Sequence, residues 1–398
     1  MHCVTHQNKN TNLCHNHPTA LWMSLVHTLS KFTVGIDSFD LLYVDPNSGK
    51  LGWDIVIIIS HAHLDHMKRA PSGYRKLNKL TRLGYRISIY CSSLTARILA
   101  HTHSNLRPFL RPFEMLVSTR VHPQVVFCAT RANHCPGSAM FGFRVSEEGA
   151  QNHAFTYHFF SADFRMVRTT PERLGTIEQV LGMREAGGAW DRVYYDDTFE
   201  NVSDEVSIPT ADQSLSYLKG RFQSCMRQTE PRVIVCDITV LGSETFFKHA
   251  IMECGLKGLV FVASGVPVSK AGVLQVCLHP HISLNMEEDL KSTGIGGHTV
   301  VILANRGDRE RIERTYNSVL WVKLTCTRFT CNLDPEKPIP AISESLEMLY
   351  IPFCTHATPR ELDILRTYLT CKDGTVFHPC GYALSSDEWV GLCKRLAV

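Results

Sequence analysis

Residues 53–66 read WDIVIIISHAHLDH, an almost unbroken apolar run closed by three histidines and an aspartate within six positions. A short β-branched run of this kind reads as a strand buried on both faces, and the histidine cluster falls where that strand leaves its sheet. Imidazole and carboxylate are the ligands that zinc and related divalent ions take, and His61, His63, Asp65 and His66 offer four of them in one loop. Side chains alternate along extended chain, so His61 and His63 point to the same side and can grip one ion. Asp65 and His66, past the bend, reach toward a second ion, the layout of a two-metal clamp. The competing reading is chance clustering in a chain of twenty histidines, against which the strand-then-ligands order speaks.

The rest of the composition fits an enzyme with a large core. With 398 residues and 44% apolar composition the chain can bury one large core or two linked ones. No segment approaches a membrane span, and MHCVTHQNKNTNLCHNHPTALWM at the start lacks the layout of a secretory signal, which reads as an intracellular protein. Its fifteen cysteines, odd in number and never spaced as CxxC, read as reduced thiols. The N-terminal His2, Cys3, His6, Cys14, His15 and His17 lack finger-like spacing and read as a flexible extension; Cys326 and Cys331 read as core or loop thiols.

Net charge is only +3, but its distribution is uneven. From Met67 to Phe113 there is no acidic residue, while ten lysines and arginines fall there, beginning with Lys68 and Arg69 beside the histidine cluster. Such a block attracts phosphate backbones by counterion release, although a solvated helical face has the same composition.

Strands are expected at Phe32–Ile36, Asp54–Ile59, Arg86–Tyr90, Val125–Ala129, Ala139–Val145, Phe155–Phe160, Arg192–Tyr195, Val233–Asp237, Gly258–Ala263, Thr299–Ala304, Val319–Thr325 and Thr375–His378. Helices are expected over 212–227, 244–255 and 361–370. Thr358, Pro359 and Glu361 give the last one an N-cap, a first-turn proline and a capping-box acid. The fold class is mixed α/β, with stacked sheets clothed by helices.

Further ligand types stand at the ends of these strands. Asp37 follows the first in TVGIDSFD, His134 lies in RANHCPGS, Asp163 in YHFFSADFR, Asp196 in VYYDDTFEN and His356 in PFCTHATPREL. Singly each is more often a cap or a surface residue; as a series they would converge over one edge of a sheet sandwich.

The series Asp37, His61-Ala-His63-Leu-Asp65-His66, His134 and Asp163 resembles the metallo-β-lactamase superfamily, and NHCPGS, ADFR and DHMK resemble its β-CASP branch, which contains the Artemis and Apollo DNA cross-link repair nucleases. The resemblance implies an αββα sandwich with an inserted β-CASP α/β domain. The expected boundaries are an extension over 1–30, the sandwich over 31–205 and 329–398, and the insert over 206–328. It implies zinc, one or two ions, with magnesium or manganese as the alternative at the second position. His61, His63, His134 and Asp163 would hold one ion, Asp65, His66 and Asp163 the other, with His356 closing the site. Asp37 would orient a ligand histidine, and Asp196 matches the family's acidic motif after a strand; the acids of the site and His356 form the catalytic set. Lys68, Arg69 and Thr358 are the expected DNA or phosphate contacts.

The implied reaction is hydrolysis of DNA phosphodiester bonds from a 5′-phosphate end, with hairpin or overhang endonuclease action as the close variant. The implied setting is nuclear repair of cross-links or double-strand breaks on single-stranded ends. An RNA-processing nuclease of the same branch usually carries a Gly-His-x-x-Gly motif in place of NHCPGS; a small-molecule hydrolase would have no use for so long an insert between Asp196 and His356; a non-catalytic scaffold would not need every core ligand. The match thins in the second half. VLGSETFF resembles the family's Leu-Gly-Lys-Glu stretch with Ser243 in place of lysine, the insert's histidine falls to His279, His281 or Ser283, and Thr355-His356-Ala357-Thr358 replaces acid-His-Ser-Ser. These departures bear on how a terminal phosphate is gripped.

Overall fold

The computed structural model describes residues 26–29, 32–43, 53–67, 70–146, 155–166, 189–200, 208–227, 233–254, 260–263, 266, 274, 284–286, 300–325, 346–369 and 371–379. The N-terminal His/Cys group, Lys68, Arg69, His279, His281, Ser283, Cys326 and Cys331 lie outside these residues.

The first sheet runs in the order β1 (Val26–Leu29), β2 (Phe32–Ile36), β3 (Asp54–Ile58), β4 (Arg86–Ser92) and β5 (Leu110–Phe113), parallel except for the β1–β2 pair. The second contains β6 (Thr119–His122), β7 (Val125–Arg131), β8 (Ala139–Ser146), β9 (Phe155–Phe160) and β10 (Trp190–Tyr195), and the late strand Cys371–Pro379 lies against β10 at its far edge. The opening apolar run behaves as its composition demands. Val56 and Ile58 of β3 face a core shared with Phe127, Phe141 and Phe143 of the second sheet, while Ile55, Ile57 and Ile59 face the opposite way. At about 1.5–3 kcal/mol per buried aliphatic side chain, these two rows fix the strand end from which the histidine loop starts.

Helices close the outer faces. α1 (Ala70–Arg82) and α2 (Ser93–Thr102) cover the first sheet through Leu77, Leu80, Ala96 and Leu99. The second sheet packs Phe159, Trp190 and Val193 against Leu362 and Leu365 of a helix spanning Pro359–Tyr368. The layers therefore run helix, sheet, sheet, helix, the αββα order that the resemblance implies.

A third sheet stands apart in sequence and is entirely parallel: β11 (Val233–Asp237), β12 (Val260–Val262), β13 (Leu284–Met286), β14 (Val300–Ala304), β15 (Val319–Thr325) and β16 (Leu346–Pro352), in the order β13-β12-β14-β11-β15-β16. Its core takes in α3 (Ala211–Met226), α4 (Ser243–Glu253) and α5 (Arg309–Thr315) through Leu218, Phe222, Phe247, Ile251 and Ile312. The expected boundary at 328 cuts through this sheet. β15 and β16 pair in parallel register from Val319↔Leu346 to Thr325↔Pro352, so the third sheet extends to Pro352, and the chain rejoins the second only at β17 (Cys371–Pro379). α6 (Pro359–Tyr368) begins as anticipated: the Glu361 amide donates to Thr358 Oγ1 and the Thr358 amide to Glu361 Oε2.

The loop that carries His134 is clamped to α2. Gly137 has φ +84°, and its carbonyl accepts from Ser92 Oγ and Thr95 Oγ1 at 2.7 and 3.1 Å. A Cβ there would stand 2.5 Å from Thr95 Oγ1 and 2.8 Å from its amide. Gly137→Ala thus meets both backbone strain and a clash, and thermal denaturation should show a loss of about 1–3 kcal/mol.

Candidate metal centre

The site gathers where strands of both sandwich sheets end. Asp37 follows β2, His61 follows β3, His134 follows β7, Asp163 follows β9 and Asp196 follows β10. Three of the turns involved use left-handed backbone at residues other than glycine: Asp37, Asn133 and Ala162, with φ +50°, +57° and +50°. Asp and Asn tolerate this region, whereas alanine does so only where packing forces it; Ala162 is buried in the inter-sheet core. Each of these turns aims a site carboxylate or imidazole inward, as strained backbone at functional sites does.

Asp163 is the hub. Its Oδ2 lies 3.1 Å from His66 Nε2, 3.5 Å from His134 Nε2 and 3.8 Å from both His61 Nε2 and His356 Nδ1. Asp37 binds the neighbouring ring and loop: its carboxylate accepts from the Ser60 amide at 2.8 Å, Ser60 Oγ at 2.5 Å and His66 Nδ1 at 2.9 Å. Because Ser60 Oγ gives its proton to Asp37, the 2.9 Å contact to His61 Nδ1 has the ring as donor, which leaves the lone pair of His61 on Nε2. Sequence reading passed over Ser60, whose only signal is its place before the cluster.

Two more rings are oriented by backbone carbonyls. His134 Nδ1 donates to Thr355 O at 2.9 Å, and His63 Nε2 donates to Leu241 O at 2.9 Å. A carbonyl can only accept, so both rings turn lone pairs inward, and those atoms, His63 Nδ1 and His134 Nε2, stand 2.8 Å apart. Two lone pairs at that separation repel unless a cation or a proton lies between them. Burial, the leading cause, holds the pKa of His63 below and those of His61 and His134 well below the ordinary range, which disfavours the proton. His61 Nε2 and Asp163 Oδ1 are buried without hydrogen-bond partners. The donor set therefore fits a divalent ion of the zinc type, held by nitrogen and oxygen ligands.

The other half of the site is more acidic. Burial works against a charged His66, but Asp163 and Asp37 outweigh it and hold its pKa well above the usual value. Asp163, which burial would push up, is held well below the carboxylate range by His66 and His356. Asp196 accepts from the Thr198 hydroxyl and amide at 2.6 and 3.0 Å and faces His356 Nδ1 at 3.0 Å. Burial opposes protonation of His356, yet Asp196 and then Asp163 push its pKa up to about 9. Arg165, 6% exposed, ties the Asp163 loop to the start of α6 through Glu361, 3.0 Å away, and through Cys354 O at 2.9 Å.

His61, His63, His66, His134, Asp163, His356, Asp37 and Asp196 are thus brought together. Three groups of ligand atoms each lie within 4.8 Å of one another: His61, His63, His134 and Cys135; His61, His66 and Asp163; His134, Asp163 and His356. Asp65 belongs to none of these groups; it is exposed, and its charge acts on His63 and His356. Thr358 spends its hydroxyl oxygen on the α6 cap. Ser243 Oγ donates to Val240 O at 2.5 Å. In the basic block, Arg75, Lys79 and Arg82 are exposed on α1, which leads away from the histidine loop, while Arg107 and Arg111 donate to nearby backbone carbonyls. A cavity of about 870 Å³ adjoins His134; Phe113, Arg131, Asn133, Leu215, Phe246 and His249 are among its walls.

Two outcomes follow for the purified protein. An ion bound only by the folded state at a hundredfold excess over its Kd stabilises by about 2.7 kcal/mol, so zinc should raise the melting temperature of chelator-treated protein by several degrees in a thermal shift assay. In the metal-free protein the His356 ring should titrate near 9, and Asp196→Asn should move that titration downward in NMR spectra, because the leading attraction has been removed.

No family model matches the chain. Among curated proteins it is similar to the 5′ exonuclease Apollo of Gallus gallus, with 30% identity over 200 residues covering 50% of this chain and 36% of that protein. It is similar to the DNA cross-link repair protein SNM1 of Arabidopsis thaliana, with 26% identity over 238 residues covering 59% and 41%. It is also similar to the protein artemis of Rattus norvegicus, with 22% identity over 297 residues covering 68% and 39%. The chain thus spans roughly two fifths of the length of these relatives. A crystal structure of a protein of unknown function from Enterococcus faecalis shares the fold, with a TM-score of 0.52, 13% identity and coverage of 85% of this chain and 78% of that one.

Proposed function

We propose that this chain, which belongs with the Apollo, SNM1 and Artemis proteins in the β-CASP branch of the metallo-β-lactamase superfamily, is a metal-dependent nuclease that hydrolyses DNA phosphodiester bonds. The observation that carries the reading is the inward convergence of lone pairs from His61, His63 and His134 beside the buried carboxylate of Asp163. A scaffold that had lost catalysis would have no need to keep opposed imidazole lone pairs 2.8 Å apart.

In this reading His61, His63, His134 and Asp163 would hold one zinc ion, and Asp65, His66 and Asp163 would hold a second, zinc or alternatively magnesium or manganese, with His356 closing the site; the exposed Asp65 would have to turn inward to do so. Bound ions supply Lewis acidity toward a phosphate and activate water near neutral pH. The chain's own groups do the rest. Asp37 fixes His66 and, through Ser60, His61. Asp196 accepts the Nδ1 proton of His356 and so fixes the orientation of that ring at the border of the cluster. The cavity beside His134 gives a nucleotide room next to the reacting phosphate. Lys68, Arg69 and the basic face of α1 would position the strand through its phosphates, with the Thr358 hydroxyl proton as a donor to a terminal phosphate.

Similarity to the 5′ exonuclease Apollo and the DNA cross-link repair protein SNM1 supports 5′-exonuclease action and a role in cross-link repair. Single-stranded ends with a 5′-phosphate as substrate, hairpin or overhang cleavage as the close variant, double-strand break repair and a nuclear setting rest on the family resemblance of NHCPGS, ADFR and DHMK. Among the described residues no helix is long and apolar enough to cross a membrane.

A 3′-labelled single-stranded oligonucleotide with a 5′-phosphate or a 5′-hydroxyl, followed over time, tests this. The phosphorylated strand should shorten from its 5′ end, and Asp163→Asn should slow the reaction by at least about 100-fold. Zinc-loaded protein that leaves linear DNA and hairpins intact while cutting RNA would overturn the DNA reading.

A further inference from the structure

The ring of His63 is oriented from outside the sandwich. Its Nε2 donates to Leu241 O, a carbonyl 178 residues away in the turn between β11 and α4. The peptide that bears this carbonyl is pinned from both sides: its N–H, on Gly242, donates at 2.7 Å to Oε2 of Glu244, which is fully buried. Gly242 has φ +107° and ψ −26°, and a Cβ there would stand 3.3 Å from Cys135 Cβ, next to His134. Only glycine takes that backbone comfortably so close to the histidine loop. Changing φ at 242 is relieved most easily by rotating the 241–242 peptide, which would swing the carbonyl away from His63.

We infer that the Leu241–Gly242 peptide and Glu244 are positioning groups of the metal centre, so that metal affinity depends on the docking of the inserted segment and metal binding in turn holds that segment in place. The inference rests on reading the histidine cluster as a metal site. With Leu241 O in place, His63 is held in the one tautomer that presents Nδ1 inward; without it the ring can flip or shift its proton and withdraw that lone pair. Thr355 O does the same for His134 from the strand of chain returning from the third sheet. Two ring orientations in one ligand set are therefore supplied by backbone outside the two sandwich sheets. Linkage makes the dependence mutual.

The test is zinc affinity of the full chain by competition with a chromophoric chelator, joined to hydrogen exchange of peptides over 238–250 with and without zinc. Gly242→Ala and Glu244→Ala should weaken zinc binding roughly 10–100-fold, the range for groups that orient a ligand. Glu244→Gln, which keeps an acceptor for the Gly242 amide, and Leu241→Ala, which keeps the carbonyl, should retain wild-type affinity. Zinc should slow exchange over 238–250 in the wild type and less so in Gly242→Ala. Should Glu244→Ala fail to fold, Gly242→Ala and the exchange measurement still decide. Wild-type affinity in Gly242→Ala, or exchange over 238–250 indifferent to zinc, would overturn the inference while leaving the metal site standing. A wild type that binds no zinc would sink the metal reading and the inference with it.

Discussion

Asp163 is 1% exposed, and four imidazoles from three different loops stand within 3.8 Å of its Oδ2. A lone buried carboxylate is costly to keep ionised, and a buried cluster of histidines is costly to protonate. Each cost is met only by bringing the groups together around charge of opposite sign. The fold supplies that meeting point at the end of a double sheet, where strands buried on both sides leave their loops little freedom to spread the cluster apart.

The same requirement explains the local backbone. Asp37, Asn133 and Ala162 take left-handed conformations at the ends of β2, β7 and β9, each beside or at a residue of the cluster. These conformations persist because flanking contacts over-determine them. Gly137 O is held by Ser92 and Thr95, the Arg165 amide donates to Ala132 O, and the Arg165 guanidinium anchors to Glu361 and Cys354. Strain at the loops is offset by the ordered sheets beneath them, leaving side chains already aimed before any ion or substrate arrives.

Electrostatically the site is divided. Around His61, His63 and His134 burial keeps rings neutral, with lone pairs turned inward. Around His66 and His356 the carboxylates of Asp37, Asp163 and Asp196 favour charge. One half is prepared for a cation held by imidazole, and in the other the carboxylates draw positive charge, a proton or a second cation, to the same place.

The sequence alone determined the parts that depend on near neighbours. The apolar run at 53–59, the β-branched and aromatic runs at 32–36 and 155–160, the Thr358 cap and the ligand types at 61–66 are local, since strand burial and capping act over a few residues. Short or polar elements escaped it. β1, β5, β6 and β13 are only three or four residues long, and α1, with GYRKLNKLTR, buries a narrow stripe that includes Leu77 and Leu80 among its described residues; β16, LEMLYIP, escaped for another reason, being apolar but without alternation. What only the tertiary structure decided are contacts between residues far apart in the chain. Asp65 stays exposed while its neighbour His66 is buried, because the bend at 63–67 turns one side chain out and the next in. The third sheet continues to Pro352 because β16 finds β15. The orientation of His63 comes from a carbonyl, a group every residue possesses and no sequence pattern distinguishes until the chain has folded around it.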